Sequence, residues 1–317
     1  MNASLIQRVS VTSALTLIFT IASASAAAYS WTEILVPSIG PLGLVIGIND
    51  YDQVAVSNVD NSKSGIYRKG IFTPLVSPPA GYSNVGATGI NNSGAIVGNA
   101  FSPSDPTHQQ GFILIGSKYT FFSRPGWDNT AARAISNSGL ITGYNYNGVG
   151  NTPNPDFSTT AGFIYNPATR TFTDATPPGS GTGFSAIQGM NASGHISGDG
   201  RLPDGSGRYA FVWQQGTLGS GGHQLAPFLA QIRINGVGTV ARGINDAGII
   251  TGFLNGGPGF VGSDSRGYLL LVPPGGDAAG AFAGCQGVNN LNHVVCGVSD
   301  ALGNNRAFIG TPGANDQ

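Results

Sequence analysis

The chain has 317 residues, 50 of them glycine, with 9% charged residues and a formal net charge of −1. That much glycine without a three-residue period, beside 40% hydrophobic residues, excludes a collagen helix and a disordered chain, and fits many short strands joined by turns. With 14 Lys and Arg residues and no basic stripe to neutralise phosphates, a nucleic-acid partner is not expected.

The chain opens with one cation, Arg8, followed by an apolar stretch over residues 9–21 and small residues over 22–28. This is the pattern of a secretory signal peptide, cleaved after Ala26 or Ala28, and it is too short and wrongly flanked for a membrane anchor. Residues 1–28 are therefore read as the signal and 29–317 as one domain, secreted or periplasmic. No later stretch approaches the ~20 apolar residues of a membrane-spanning helix.

One pattern then recurs six times. Its clearest copy is Gly89-Ile90-Asn91-Asn92-Ser93-Gly94-Ala95-Ile96-Val97-Gly98, and copies start at Gly47, Gly89, Ala134, Gly189, Gly243 and Gly287. Apolar runs on either side of Asn-x-x-Gly read as a tight hairpin whose third turn residue takes positive φ. Gly94, Gly139, Gly194, Gly248 and Asn292 suit that position, whereas Asp52 in the first copy visits it less easily. A period of ~42–55 residues is the mark of a repeat architecture.

The stretch over residues 31–36, just after the signal, resembles the last strand of a repeat, like 71–76 and 171–176. A full copy reads as four strands: the hairpin pair, a third over 111–115 and a fourth over 118–122. The sixth copy stops after its third strand, Arg306-Ala307-Phe308-Ile309-Gly310, so the N-terminal strand completes it. The expected fold is all-β, a six-bladed β-propeller of four-stranded blades in which radial closure hides the sheet edges. A solenoid would need capping repeats, and a seventh blade a seventh anchor.

The sequence resembles a family of bacterial extracellular repeat proteins named for a His-Ala-Phe motif. Their copies combine Gly-Ile-Asn-x-x-Gly-x-Val-x-Gly with His-Ala-Phe-x-Trp. Here the second element is Gln110-Gly111-Phe112, Ala161-Gly162-Phe163, Tyr209-Ala210-Phe211-Val212-Trp213, Arg266-Gly267-Tyr268 and Arg306-Ala307-Phe308, with Ser64-Gly65-Ile66 in the first copy. The His is missing from every copy, so no role of it carries over. The resemblance implies export and a propeller-like fold.

The two cysteines, Cys285 and Cys296, replace small residues in the last hairpin: Ala87, Ala132 and Ala241 at one position, Gly98, Gly143, Gly198 and Gly252 at the other. On paired strands of an exported chain this points to a disulfide. A bulged turn would offset the pair to opposite faces, leaving two buried thiols as the alternative.

Binding is expected on the face that carries the connections between second and third strands, over 58–64, 101–110, 145–160, 199–208, 254–266 and 299–305, because variable loops on a rigid scaffold carry function. The residue before each anchor, Ile46, Thr88, Arg133, Gln188, Arg242 or Gln286, projects from the innermost strand. Thr88, Arg133, Gln188, Arg242 and Gln286 would thus ring the central channel, as a ligand or anion site or as a solvated lining. Trp127, Tyr144 and Tyr146, with Phe101, Phe157 and Phe260, are candidate loop aromatics for stacking on sugars; the alternative is that they cover the blades.

Asp60, Asp105, Asp156, Asp199, Asp204, Asp264 and Asp300 fall in the variable stretches, at spacings that fit no calcium cage. His108, His195, His223 and His293 show no zinc spacing, and no nucleophile elbow occurs. No catalytic residue, metal or cofactor is assigned. The functional reading is a monomeric, non-catalytic binding or scaffold module for a glycan or an extracellular protein. The competing reading is an extracellular polysaccharide hydrolase or lyase using Asp and Arg on the same face.

Overall fold

The computed structural model describes residues 29–43, 45–148, 160–175, 185–201, 208–214, 230–232 and 238–313. The signal reading of residues 1–28 lies outside them. Antiparallel sheets surround one axis as a six-bladed β-propeller.

Each repeat folds around its Asn-x-x-Gly turn. The Asn91 N–H donates to Ala95 O at 3.1 Å and the Gly94 N–H to Asn91 O at 3.0 Å. The third turn residue lies in the left-handed region in all six copies, with φ of 79° at Gly94 and 59° at Asn292. Asp52 also adopts it, at φ 56°. Its carboxylate lies 2.6 Å from His293 Nδ1 of the neighbouring blade, a contact that glycine would lack.

Blade one contains β2 (Val54–Ser57), β3 (Ser64–Arg68) and β4 (Ile71–Pro74). Its inner position is held by Leu42 and Ile48 through the bridges Leu42↔Asn58 and Ile48↔Val54. Blade two is β5 (Ser83–Ile90), β6 (Ile96–Ser102), β7 (Asp105–Ile115) and β8 (Lys118–Phe122). Blade three is β9 (Asn129–Ile135), β10 (Ile141–Tyr146), β11 (Ala161–Asn166) and β12 (Thr171–Asp174). Blade four is β13 (Ser185–Met190), β14 (His195–Arg201), β15 (Arg208–Gln214) and β16 (Ala230–Ile232).

Blade five is β17 (Thr239–Ile244), β18 (Ile250–Leu254), β19 (Gly259–Ser263) and β20 (Gly267–Leu271). In blade six, β21 (Phe282–Val288), β22 (Val294–Ser299) and β23 (Asn305–Pro312) are joined by β1 (Tyr29–Glu33). The sheet order β1-β23-β22-β21 puts the N-terminal strand outermost, so the chain's two ends close the ring as the sequence predicts.

The core lies between blades. Ile34, Val36 and Ile309 of the closing region pack with Val54, Val56 and Tyr67 of blade one, and Ile164 and Ala175 of blade three pack with Ile187, Phe211 and Trp213 of blade four. Within a blade, the last Gly of the motif faces an aromatic ring on the third strand. Gly98 pairs with Phe112, and a Cβ on Gly98 would fall 2.7 Å from that ring.

This pairing corrects the reading of blade five. Its third strand is β19, not Arg266-Gly267-Tyr268, because Gly252 pairs with Phe260; Tyr268 belongs to the outer strand. Several expected loops are strand as well: β7 takes in most of 101–110, and Phe101, Tyr144, Tyr146 and Phe260 all sit in strands. Phe101, Tyr146 and Phe260 are buried. They cover the blades, as large rings do, while Phe157 lies outside the described residues.

The cysteines form the disulfide. Cys285 pairs directly with Cys296 because a bulge between Cys285 and Gly287 compensates for the offset of the turn.

Candidate functional site

That bulge recurs. The register of the inner pair slips after Ala87 in blade two, which makes Thr88 the extra residue, and likewise at Arg133, Gln188, Arg242 and Gln286 in blades three to six. A bulge re-aims a side chain out of strict alternation. Arg133, Gln188, Arg242 and Gln286 converge on an axial cavity of about 90 Å³, with Ile46 of blade one at the same level. Thr88 stays in the wall, its hydroxyl 3.0 Å from Ala132 O of the next blade.

One of these side chains reaches the next blade, and two hold partners within their own. The Arg133 Nε–H donates to Gln188 Oε1 at 2.9 Å, and the Gln188 Nε2–H donates to Asp199 Oδ1 at 3.1 Å. Asp199, read as a loop residue, lies in β14 and is 1% exposed. The Arg242 guanidinium stands 5.3 Å over the Phe253 ring, a cation–π contact. Gln286 is 3% exposed and its Oε1 has no hydrogen-bond partner among the described residues.

Below this level the motif's Ile position gives a ring of Ile48, Ile90, Ile135, Met190, Ile244 and Val288, each 6–8% exposed. Beneath it lies an amide belt. Asn49, Asn91, Asn191, Asn245 and Asn289 each donate Nδ2–H to the backbone carbonyl of the next blade, at 3.0–3.1 Å. Each Oδ1 also accepts two N–H groups of its own turn, as Asn245 does from Ala247 and Ile249. Outside it, a second ring joins the next turn residues: the Asp50, Asn92, Ala192, Asp246 and Asn290 N–H groups each donate to a neighbouring side-chain Oδ1.

Both rings lapse at the same seam. In blade three Ser136 stands where the others have Asn, and in blade four Ala192 has no oxygen to receive the Asn137 N–H. The motif marked these Asn residues as turn formers; their second bond, to a blade some fifty residues away in the chain, has no local signature.

A larger concavity lies between blades one and two. It measures about 520 Å³, within the range of small-ligand sites, and is lined by the rings of Phe72, Tyr82 and Tyr119, by short polar side chains including Ser62, Ser83 and Asn84, and by Lys63 at one side. Tyr82 stacks on Phe121 at 3.8 Å. The Tyr119 hydroxyl donates to Val76 O at 2.9 Å, and burial raises its pKa. The Lys63 Nζ donates to Ser38 O at 3.2 Å. Ser62 and Lys63 belong to the expected variable loop over 58–64, whereas the groove has no local signature in the sequence: it brings together residues 38–39, 62–64, 72, 74–78 and 82–85 with Tyr119.

The other candidate residues line neither site. Trp127 is half-buried in the link from β8 to β9, and Tyr144 is half-buried beside Tyr146, their rings 6.1 Å apart. The Tyr146 hydroxyl donates to Gln109 Oε1 at 3.2 Å, and burial raises its pKa.

The loop aspartates build their own turns. Asp105 accepts from the Thr107 hydroxyl at 2.7 Å and lies 2.8 Å from His108 Nδ1, and these bonds hold its pKa at about 2. Hydrogen bonds from Ser62 lower the pKa of Asp60, and bonds from Asn304 that of Asp300. Asp264 accepts from the Tyr268 hydroxyl. Asp156, Asp204 and His223 lie outside the described residues. Among the described residues no three His, Cys, Asp or Glu side chains gather as a metal site, and no helix is long and apolar enough to cross a membrane.

No protein-family profile and no curated protein matches the chain. Solved structures do. YCF48 from Cyanidioschyzon merolae matches with a TM-score of 0.50 at 8% identity, over 90% of this chain and 99% of that one. The likeness is one of fold. A gluconolactonase from Xanthomonas campestris matches with a TM-score of 0.47 at 12% identity, over 91% and 98% of the two chains. Virginiamycin B lyase from Staphylococcus aureus matches with 0.46 at 10% identity, over 88% of each.

Proposed function

We propose that the protein is an exported binding module that holds a glycan in the groove between blades one and two. The lining of that groove carries the reading: three aromatic rings interleaved with hydroxyl and amide side chains in about 520 Å³. A sugar ring offers apolar C–H faces rimmed by hydroxyls. Flat side chains bury the faces, and Ser and Asn exchange hydrogen bonds with the rim.

Tyr82 suits the platform role because its stacking on Phe121 limits the side-chain entropy lost on binding. The described lining includes one charged side chain, Lys63, and no carboxylate, whereas glycoside hydrolysis calls for a flanking pair of carboxylic acids. The Cys285–Cys296 bridge supports an oxidising, extracytoplasmic location.

The test is a glycan array probed with the purified protein and with Tyr82→Ala. Selective binding by the parent that drops at least tenfold in the variant is the expected result. A folded parent protein that retains no glycan would overturn the reading and turn attention to a protein ligand.

A further inference from the structure

The axial cavity is separate from the groove and has a different chemistry. It is lined by two arginines, Arg133 and Arg242, and two glutamines, Gln188 and Gln286, carried by four different blades. Arg133 spends its Nε–H on Gln188, while its two terminal nitrogens make no hydrogen bond to any described residue. Lining the same space, the buried Gln286 Oε1 also has no partner among the described residues. A buried acceptor left unsatisfied costs about 1–3 kcal/mol, and native structures satisfy such groups with a ligand or an ordered water.

The donor set selects the occupant. Guanidinium groups fit planar or tetrahedral oxyanions, to which they present paired N–H donors. The Gln286 carbonyl oxygen accepts only, so the occupant must also supply one hydrogen. The cavity's roughly 90 Å³ equals the liquid volume of about three waters, which limits the guest to a few heavy atoms. The ring of Ile48, Ile90, Ile135, Met190, Ile244 and Val288 floors the space with hydrocarbon, so a charged guest sits at the arginine level.

We propose that the axis binds one small oxyanion bearing a proton, of which hydrogen phosphate is the simplest. Its anionic oxygens accept from Arg133 and Arg242, and its P–OH donates to Gln286 Oε1. The bulges are what make the site: without the extra residue, the inner strands would turn these four side chains into the sheets.

The experiment is calorimetric titration of inorganic phosphate into the purified protein at neutral pH, with parallel titrations of sulfate, which carries no proton there, and of acetate. Phosphate is expected to bind with a stoichiometry of one and at least tenfold more tightly than sulfate or acetate. Arg133→Met is expected to lose at least tenfold in phosphate affinity, and Gln286→Glu, which opposes a carboxylate to the anion, to lose as much. Thermal melts accompany the titrations to establish that each channel-wall variant is folded: phosphate should raise the Tm of the parent protein and leave that of either folded variant unchanged. Equal affinity for sulfate and phosphate, no heat of binding by the parent, or an undiminished phosphate response in folded Arg133→Met would overturn the proposal.

Discussion

Asn245 uses one amide four times. Its Oδ1 accepts from the Ala247 and Ile249 N–H groups, and its Nδ2 donates to Asn289 O and Asn292 Oδ1. That saturates the side chain's donors and acceptors at 3% exposure. Asn245→Asp keeps the turn-capping oxygen but faces two acceptors with a carboxylate, and about 3 kcal/mol of stability should be lost in urea unfolding. The converse change repairs the seam between blades three and four. Ser136→Asn with Ala192→Asp supplies the amide and the acceptor found elsewhere in the two rings, and should add about 1–2 kcal/mol by the same measurement. The sequence shows five of the six Asn positions and their turn role, because a turn is local. The bond to the next blade depends on ring closure and becomes visible only in three dimensions.

The last hairpin and the closing strand each fasten one element to another. The Cys285–Cys296 bridge links directly opposed residues on β21 and β22. Replacing the pair with Ala and Gly, as in blades two, three and five, should cost about 2–3 kcal/mol through the freedom restored to the unfolded chain, and reducing agent should destabilise the parent alone. On the outer edge, Arg306 grips Glu33 through Nε and Nη2 at 2.7 and 2.9 Å. That hydrogen bonding lowers the Glu33 pKa, so its stabilising contribution is present above the unfolded-state value and fades as pH falls through the folded one. The pair is largely solvated, so Glu33→Gln should cost about 0.5 kcal/mol at pH 7, and that cost should fade as the pH falls through the lowered folded-state pKa. Strand number and order were legible because each blade repeats the same apolar runs. Blade five misled because two aromatics, Phe260 and Tyr268, compete for the third strand, and what settles the choice is which ring packs over Gly252. The bulges left no mark in the sequence, since an extra residue looks like any other until its partner strand is known.

At the scale of the ring, closure rests on β1. Its backbone pairs with β23 from Tyr29↔Pro312 to Glu33↔Phe308, and the Tyr29 hydroxyl donates to Asn292 O at 2.9 Å. Just beyond it, Ile34 and Val36 join the core shared by blades six and one. Removing residues 29–33 would therefore expose the β23 edge and loosen the seam at once. An exposed edge is a template for pairing with another chain, so the truncated protein should melt at lower temperature and associate in sedimentation velocity as its concentration rises. Trp31→Ala separates the two causes, because it removes a ring packed near Phe308 while leaving the backbone ladder intact; it should lower the Tm without inducing association. A truncated protein that stays monomeric with an unchanged Tm would mean that the Asn rings on the axis, rather than the outer strand, hold the propeller closed. The amide belt crosses the seam between blades six and one through Asn289 and Asn49, so the ring is fastened there at its inner and outer radii, and the truncation asks which of the two carries the closure.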